Sequence, residues 1–470
     1  MGYEDARHLL NRTGFGATDA EIRQMALLTR EQGVASLLAN TRRTAVTPAP
    51  AWSAFYERPP RPKDLGADAK QELLQKLVRQ SFELRDWWLR EMLDTPSPLT
   101  ERMTLFWHNH FVSSQQKVKL PLLMYRQNQL LRMHALGRFG ELLHAVSRDP
   151  AMIIYLDNVS NRKGQPNENF AREVMELFTL GEGNYGEQDI KEAARAFTGW
   201  SLDRDTGEFR FRPFLHDGGS KTVLGRSGRF DGDDILKILL DQPATAQFVA
   251  RKLWREFVSP QPDSKELARI ANRFRASGYE IKVALRELLL SPSFWAPENR
   301  AVLIKSPVDL VVGTLRTFDV ETGGLAPFAL LTAGLGQNLF APPNVKGWPG
   351  QEDWINSATL LQRKQFLDRL FRAQEMRNES AMMILARAGG QGGGLKGVNK
   401  LDPETRERFM KALTDIHFDA QAWLNSLPGQ DADAMRELLL AMAPVNDIEP
   451  GLQGMDLIRA LTQDPVYQLK

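Results

Sequence analysis

Cysteine is absent from all 470 residues. That removes disulfides, zinc–thiolate sites, cysteine-ligated iron–sulfur clusters and cysteine nucleophiles. It leaves the redox compartment open, because a chain without thiols suits either environment. Long apolar runs are missing too; nothing reaches the ~18 residues of a membrane span. Neither sign of charge dominates. The chain carries 60 basic and 58 acidic residues, a formal +2, so no global field steers it to nucleic acid or to an anionic membrane. Met1-Gly2-Tyr3-Glu4-Asp5-Ala6-Arg7 lacks the basic-then-apolar pattern of a signal peptide. The chain therefore reads as cytoplasmic, or as periplasmic or exported once a leader has been removed. Gly-x-Ser-x-Gly and His-Glu-x-x-His are absent. The glycine run at 389–394 follows no strand and lacks a Gly-Lys-Ser/Thr triplet, so it is a loop and not a nucleotide cradle.

What is present is ordinary globular composition, 42% hydrophobic and 25% charged. Helical periodicity dominates. The spacing predicts helices over 19–38, 69–93, 98–112, 122–136, 139–148, 169–180, 187–198, 233–240, 244–257, 265–277, 281–290, 307–318, 327–335, 356–374, 403–418 and 435–442. Thr18 with Glu21 forms a capping-box pattern, and Asp402-Pro403 places proline at a first helical position. Apolar helices end three times at Asp149-Pro150, Ser291-Pro292 and Asp464-Pro465. These corners read as a shared stop device or as the trace of an internal duplication. Residues 44–62 are rich in proline and form a meandering connection. Strand signals are few. Gly207-Glu208-Phe209-Arg210-Phe211-Arg212-Pro213 alternates, then His216-Asp217-Gly218-Gly219 precedes Lys221-Thr222-Val223-Leu224-Gly225. That predicts one small β-hairpin near 207–225 in a mainly α chain.

Five stretches could carry chemistry. In the first, Trp107-His108-Asn109-His110, a regular helix turns ~100° per residue and points His108 and His110 ~200° apart. They share a metal or catalytic site only if the chain bends there; otherwise one is a core histidine and one a surface histidine, or one is catalytic and one structural. In the second, Phe170, Val174, Leu177 and Phe178 form an apolar stripe opposite Asn169, Arg172, Glu173 and Glu176. Paired carboxylates at this spacing converge on a cation or share a proton, or form a solvated face screened by Arg172. The third stretch, 189–200, holds Glu192, Arg195 and Trp200: a surface ion pair and a packing tryptophan, or a ligand-binding set. The fourth is His216-Asp217, a ligand or base pair, or a turn aspartate beside an exposed histidine. The fifth is Asn344-Val345-Lys346-Gly347-Trp348-Pro349-Gly350. It reads as an ordered loop in which Trp348 stacks on a flat ligand or packs on the body.

Taken in order, His8-Leu9-Leu10-Asn11-Arg12-Thr13-Gly14-Phe15-Gly16, residues 107–111, 167–181 and 194–200, Phe214-Leu215-His216-Asp217, residues 344–348 and the closing Asp464-Pro465-Val466-Tyr467-Gln468 resemble the bacterial domain of unknown function 1800. The likeness covers essentially the whole chain. It implies one family unit over 1–470: a single helical body over 1–385, a glycine-rich loop over 386–398, and C-terminal helices over 399–470 packed on the body. It also implies an envelope setting and, as a partner, a neighbouring exported protein resembling sulfatases and alkaline phosphatases. No reaction comes with it. Two functions follow as expectations. One is an enzyme, a hydrolase or oxidoreductase acting on an extracellular polymer or glycan. Its catalytic groups would be His108, His110, Glu173, Arg172 and Arg12. A divalent Mn, Fe, Zn or Ca would sit among His108, His110, Glu168, Glu173, Glu176, His216 and Asp217. Asn167, Asn169, Arg195, Trp200 and Trp348 would contact ligand. The other is a non-catalytic scaffold or partner of the sulfatase-like neighbour. Convergence of His108, His110, Glu173 and His216 in one cleft favours the enzyme, and dispersal favours the scaffold.

Overall fold

The computed structural model describes residues 1–60, 62–372, 403–427 and 432–470. The chain is mainly helical, with only small two-stranded sheets. The glycine-rich stretch expected over 386–398 lies outside the described residues. Among those residues no helix is long and apolar enough to cross a membrane.

Helix ends follow local chemistry. Thr18 and Glu21 exchange both bonds of a capping box at the start of Asp19–Ala26. The helix expected over 19–38 is broken: it stops at Ala26, and Arg30–Ala39 starts afresh behind a second box made by Thr29 and Gln32. The apolar period runs through both pieces, which hides the break. Each proline corner is stop and start together. Asp149, Ser291 and Asp464 accept from the backbone N–H of Met152, Phe294 and Val466, and so cap the short helical segment beginning at the following proline.

Helix Pro98–His110 lies inside the body, buried on all faces except at Pro98 and Asn109. It packs against Pro121–His134 and Ala67–Asp94, whose Leu84, Trp87, Trp88 and Met92 face inward. Large side chains here, Trp88, Trp107 and Phe111, are fully enclosed. Each contributes roughly 1.5–3 kcal/mol or more by leaving water. One apolar cluster runs from Ala6 to Tyr467, so both ends of the sequence share it. The C-terminal segment is stitched back onto the body: Lys470 N–H donates to Leu303 O at 2.8 Å and Lys305 N–H to Gln468 O at 2.8 Å.

The expected hairpin pairs differently. Phe209–Phe211 is a strand, but its antiparallel partner is Trp200–Leu202, in register Trp200 with Phe211. Lys221–Val223 pairs with Arg226–Gly228. Two hairpins thus flank His216-Asp217 where one was expected to enclose it. Trp200, just beyond the helix expected over 187–198, begins the first strand.

Candidate functional site

Helix Pro98–His110 continues regularly through His110. The bend that both histidines needed does not occur, and they face different surroundings. His108 meets the rings of Trp88, Phe340 and Trp348, with centroids 5.3, 5.5 and 5.5 Å away. Burial holds its pKa down to about 3, so it is neutral. His110 sits among Phe106, Phe111, Phe139 and Phe178. Its Nε2–H donates to the Phe178 carbonyl at 3.1 Å. Burial, aided by Lys252, keeps this ring neutral too. His108 Nε2 and His110 Nδ1 are buried without a hydrogen-bond partner among the described residues.

The expected helix over 169–180 is α-helical only over Asn169–Glu173; Val174–Thr179 is π-helix. The widened turn closes on itself through Thr179 Oγ1, which donates to Val174 O at 2.6 Å. It also turns carbonyls outward: Phe178 O to His110, and Leu177 O to Lys252 Nζ at 3.3 Å. Such bulges recur at functional sites. Gly181, at φ +78, ends the element as expected. Glu173 stands just before the bulge, half-buried. Its pKa is raised, first by burial and then by Glu176, against the opposing pull of Arg172 and Lys346. Glu176 accepts from the Tyr185 hydroxyl at 2.6 Å.

The 344–350 loop docks onto the same place. Asn109 Oδ1 accepts from Trp348 N–H at 2.7 Å. Gly347 makes this approach possible: its φ is +89, and a Cβ there would collide with the Asn109 amide. Trp348 is 4% exposed and packs on His108. Lys346 stays exposed, with Nζ 4.0 Å from Glu182. The first, second and fifth stretches therefore meet around the π turn.

The third and fourth meet one another. Arg195 Nε donates to Asp217 Oδ2 at 2.8 Å and Nη1 to Glu192 Oε2 at 2.9 Å. Arg195 leads the influences that hold Asp217 down to about 2. His216 Nδ1 lies 3.0 Å from Thr198 O. Trp200 is buried against Phe170, Phe197 and Phe209.

Several expected roles are thereby corrected. His108 and His110 diverge and His216 and Asp217 are held by Thr198 and Arg195, so the shared metal set does not assemble. Among the described residues no group of three or more His, Asp or Glu side chains is placed to hold a metal ion. Arg12, expected to grip an anionic substrate, is fully buried. It donates to the carbonyls of Phe257, Val258 and Asn299 at 2.9, 2.7 and 2.7 Å, closing the end of helix Pro243–Phe257. Arg172 makes a two-pronged pair with Glu187, both bonds 2.9 Å, and reaches Glu168 at 3.2 Å. Asn167 Oδ1 accepts from Asn169 N–H at 3.0 Å, and Asn169 Nδ2 donates to Asp157 at 3.2 Å.

Sequence reasoning passed over Asn109 and Lys346, although both stand inside quoted motifs. It also passed over Glu101 and Arg102. Glu101 accepts from Arg132 at 2.5 and 2.8 Å and from Trp88 Nε1 at 2.9 Å. Arg102 donates to Asp309 and to Gly14 O. Lys252 gave no signal beyond its place on an amphipathic helix.

Comparison with curated proteins gives no match, and comparison with solved structures gives none. One family model does match, over residues 8–469, and it is described as a protein of unknown function (DUF1800). With nearly every residue inside that match, the chain belongs to the DUF1800 family.

Proposed function

We propose that the chain is a non-catalytic scaffold, a helical body whose polar motifs fasten its helices and whose surface is offered to a protein partner. The observation that carries this reading is Arg12. The residue best suited to an anionic substrate is enclosed and committed to three main-chain carbonyls. The same inward use recurs at His110, Arg102 and Arg132. Dispersal of His108, His110 and His216 into separate surroundings supports it further. The partner we propose is the exported sulfatase-like neighbour that the family resemblance implies.

The test pairs stability with binding. Arg12→Ala leaves three carbonyls without their donor, two of them at the end of helix Pro243–Phe257. The expected loss is about 3 kcal/mol or more in denaturant unfolding. Glu173→Gln and Lys346→Ala should keep both the fold and the association with the neighbour, read by co-purification and calorimetry. A full chain that never associates with that neighbour, or an Arg12→Ala protein of unchanged stability, would defeat the proposal.

One observation favours a second reading, an acid–base enzyme at Glu173 and Glu176. Glu173 is half-buried with a raised pKa, as a general acid requires, and Glu176 is oriented by Tyr185. Two carboxylates of this kind suit glycan hydrolysis. Turnover of a glycan that disappears in Glu173→Gln, with stability kept, would replace the scaffold reading by this one.

A further inference from the structure

Outside the π-turn region, a cavity of about 30 Å³ lies between the first helix, Tyr3–Thr13, the helix Pro307–Thr317 and the C-terminal segment. Its lining includes Asn11, Lys305, Asp309, Thr317, Tyr467 and Lys470. Glycine brings two of these walls together. Gly16 has φ +77, and a Cβ there would lie 2.8 Å from the Gly313 carbonyl oxygen.

The charges around this cavity are unequally matched. Six cationic side chains, Arg7, Arg12, Arg102, Lys305, Arg363 and Lys470, stand near the carboxylates of Asp309 and Glu256, with Glu4 and Glu437 beside Arg7. Asp309 is already shared: it accepts from Arg102, from Lys470 Nζ at 2.8 Å and from Ser306 N–H at 3.0 Å. Arg12 and Arg363 direct donors to main-chain carbonyls. Lys305 is different. Its Nζ lies 4.0 Å from the Tyr467 ring centroid, and it makes no hydrogen bond or ion pair among the described residues. The side chains of Asn11 and Thr317, on the same lining, also make no hydrogen bond among those residues, so neutral donors are open to the cavity.

Lys305 is partly buried, and an ammonium short of water without an acceptor is unfavourable; an anion beside it relieves that. Burial, with Lys470, Arg363 and Arg7 adding to it and Asp309 opposing, pushes Lys305 down to about 7. One water needs about 10–15 Å³ by this measure, so the cavity takes two or three water-sized groups: room for a small head group and not for a whole metabolite. We propose that this cavity is a binding site for one small oxyanion group, a carboxylate, sulfate or phosphate, held by the Lys305 ammonium with Asn11 and Thr317 as additional donors. The reading does not depend on whether the chain is scaffold or enzyme.

Calorimetric titration of the full chain with sulfate and, separately, with acetate tests it; the two arms distinguish a tetrahedral from a planar head group. The expected result is one-site binding of at least one of them. Affinity should fall about tenfold or more, about 1.4 kcal/mol, in Lys305→Met. Sulfate keeps its charge across neutral pH, so its affinity should also weaken as pH rises above about 7, where Lys305 loses its proton. If Lys305→Met does not fold, the lysine resonances of the unmodified protein decide. Sulfate should move the titration of Lys305 upward. Failure of both anions to bind, equal binding by Lys305→Met, or a Lys305 titration untouched by sulfate would each overturn the proposal.

Discussion

Glu101 and Glu173 are both carboxylates on helices crowded with aromatic residues, and they meet opposite fates. Glu101 is 1% exposed and has its oxygens filled by Arg132 and Trp88. The side chain of Glu173 is half-buried and makes no hydrogen bond among the described residues, with Glu176, Arg172 and Lys346 in its field. The difference teaches where stability and recognition reside. A buried carboxylate must be paired, because removing one partner strands the other charge away from water. A rim carboxylate can be left uncommitted, because water covers part of it.

The largest effect that would break this contrast is at Asp309, which holds Arg102 and Lys470 together. Asp309→Ala should lose about 3–5 kcal/mol in chemical denaturation. A loss below about 1 kcal/mol would mean that the buried network is not what fastens these helices.

Asp149 sharpens the contrast, because it is buried as Asp309 is but has no cationic partner among the described residues. It accepts from Gln127 and from Met152 N–H, and burial pushes it up to about 7. Its proton is held more tightly in the folded chain than at the unfolded value of ~3.9. The contribution is therefore full below about 4 and lost as pH rises toward about 7. The swing is on the order of 4 kcal/mol. Asp149→Asn should flatten the unfolding free energy across that window. An unchanged pH profile would contradict the assignment.

At the loop contact, Gly347→Ala puts a Cβ against Asn109 at a left-handed backbone position. About 1–3 kcal/mol should be lost, accompanied by changed Trp348 fluorescence. The smallest change expected is at Glu173→Gln, within about 0.5 kcal/mol of the unmodified chain. Its Gln form should be slightly favoured at high pH, since a raised carboxyl pKa weakens the fold as the group ionises. A loss of several kcal/mol there would place Glu173 with the buried network and erase the comparison.

Much of the fold was legible because helix starts are local. Thr18 with Glu21, and Gly181 after an apolar run, declare themselves within four residues. Strand pairing was not, because Phe209–Phe211 had to choose between Trp200 behind it and Lys221 ahead, and neither alternation nor turn residues decide that. For the candidate site, periodicity located the polar stripe of 169–180 but could not show that the helix changes to a π turn at Val174. Nor could it show that both sides of Pro98–His110 are covered. The partners that make Glu101 and Arg102 internal, Arg132 and Asp309, lie 31 and 207 residues along the chain. Arg12 was misread for the same reason: its acceptors are 245 to 287 residues away.

The three proline corners carry a consequence for how this chain can vary in length. At Asp149, Ser291 and Asp464 one residue does both jobs: its backbone N–H closes the preceding turn on Val146, Leu288 or Leu461, and its side chain accepts a first N–H bond of the next segment. One inserted residue just before such a corner would rotate the helix behind it by ~100° relative to its cap, turning its buried face toward solvent. The connection over 44–62 holds little regular structure; Val46 and Thr47 are fixed by N–H bonds to Glu91 and Trp52 by its Nε1 bond to Glu83, and the exposed residues after them carry no comparable constraint. Relatives of this chain should therefore differ in length around 44–62 and keep a fixed residue count through 146–152, 288–294 and 461–467.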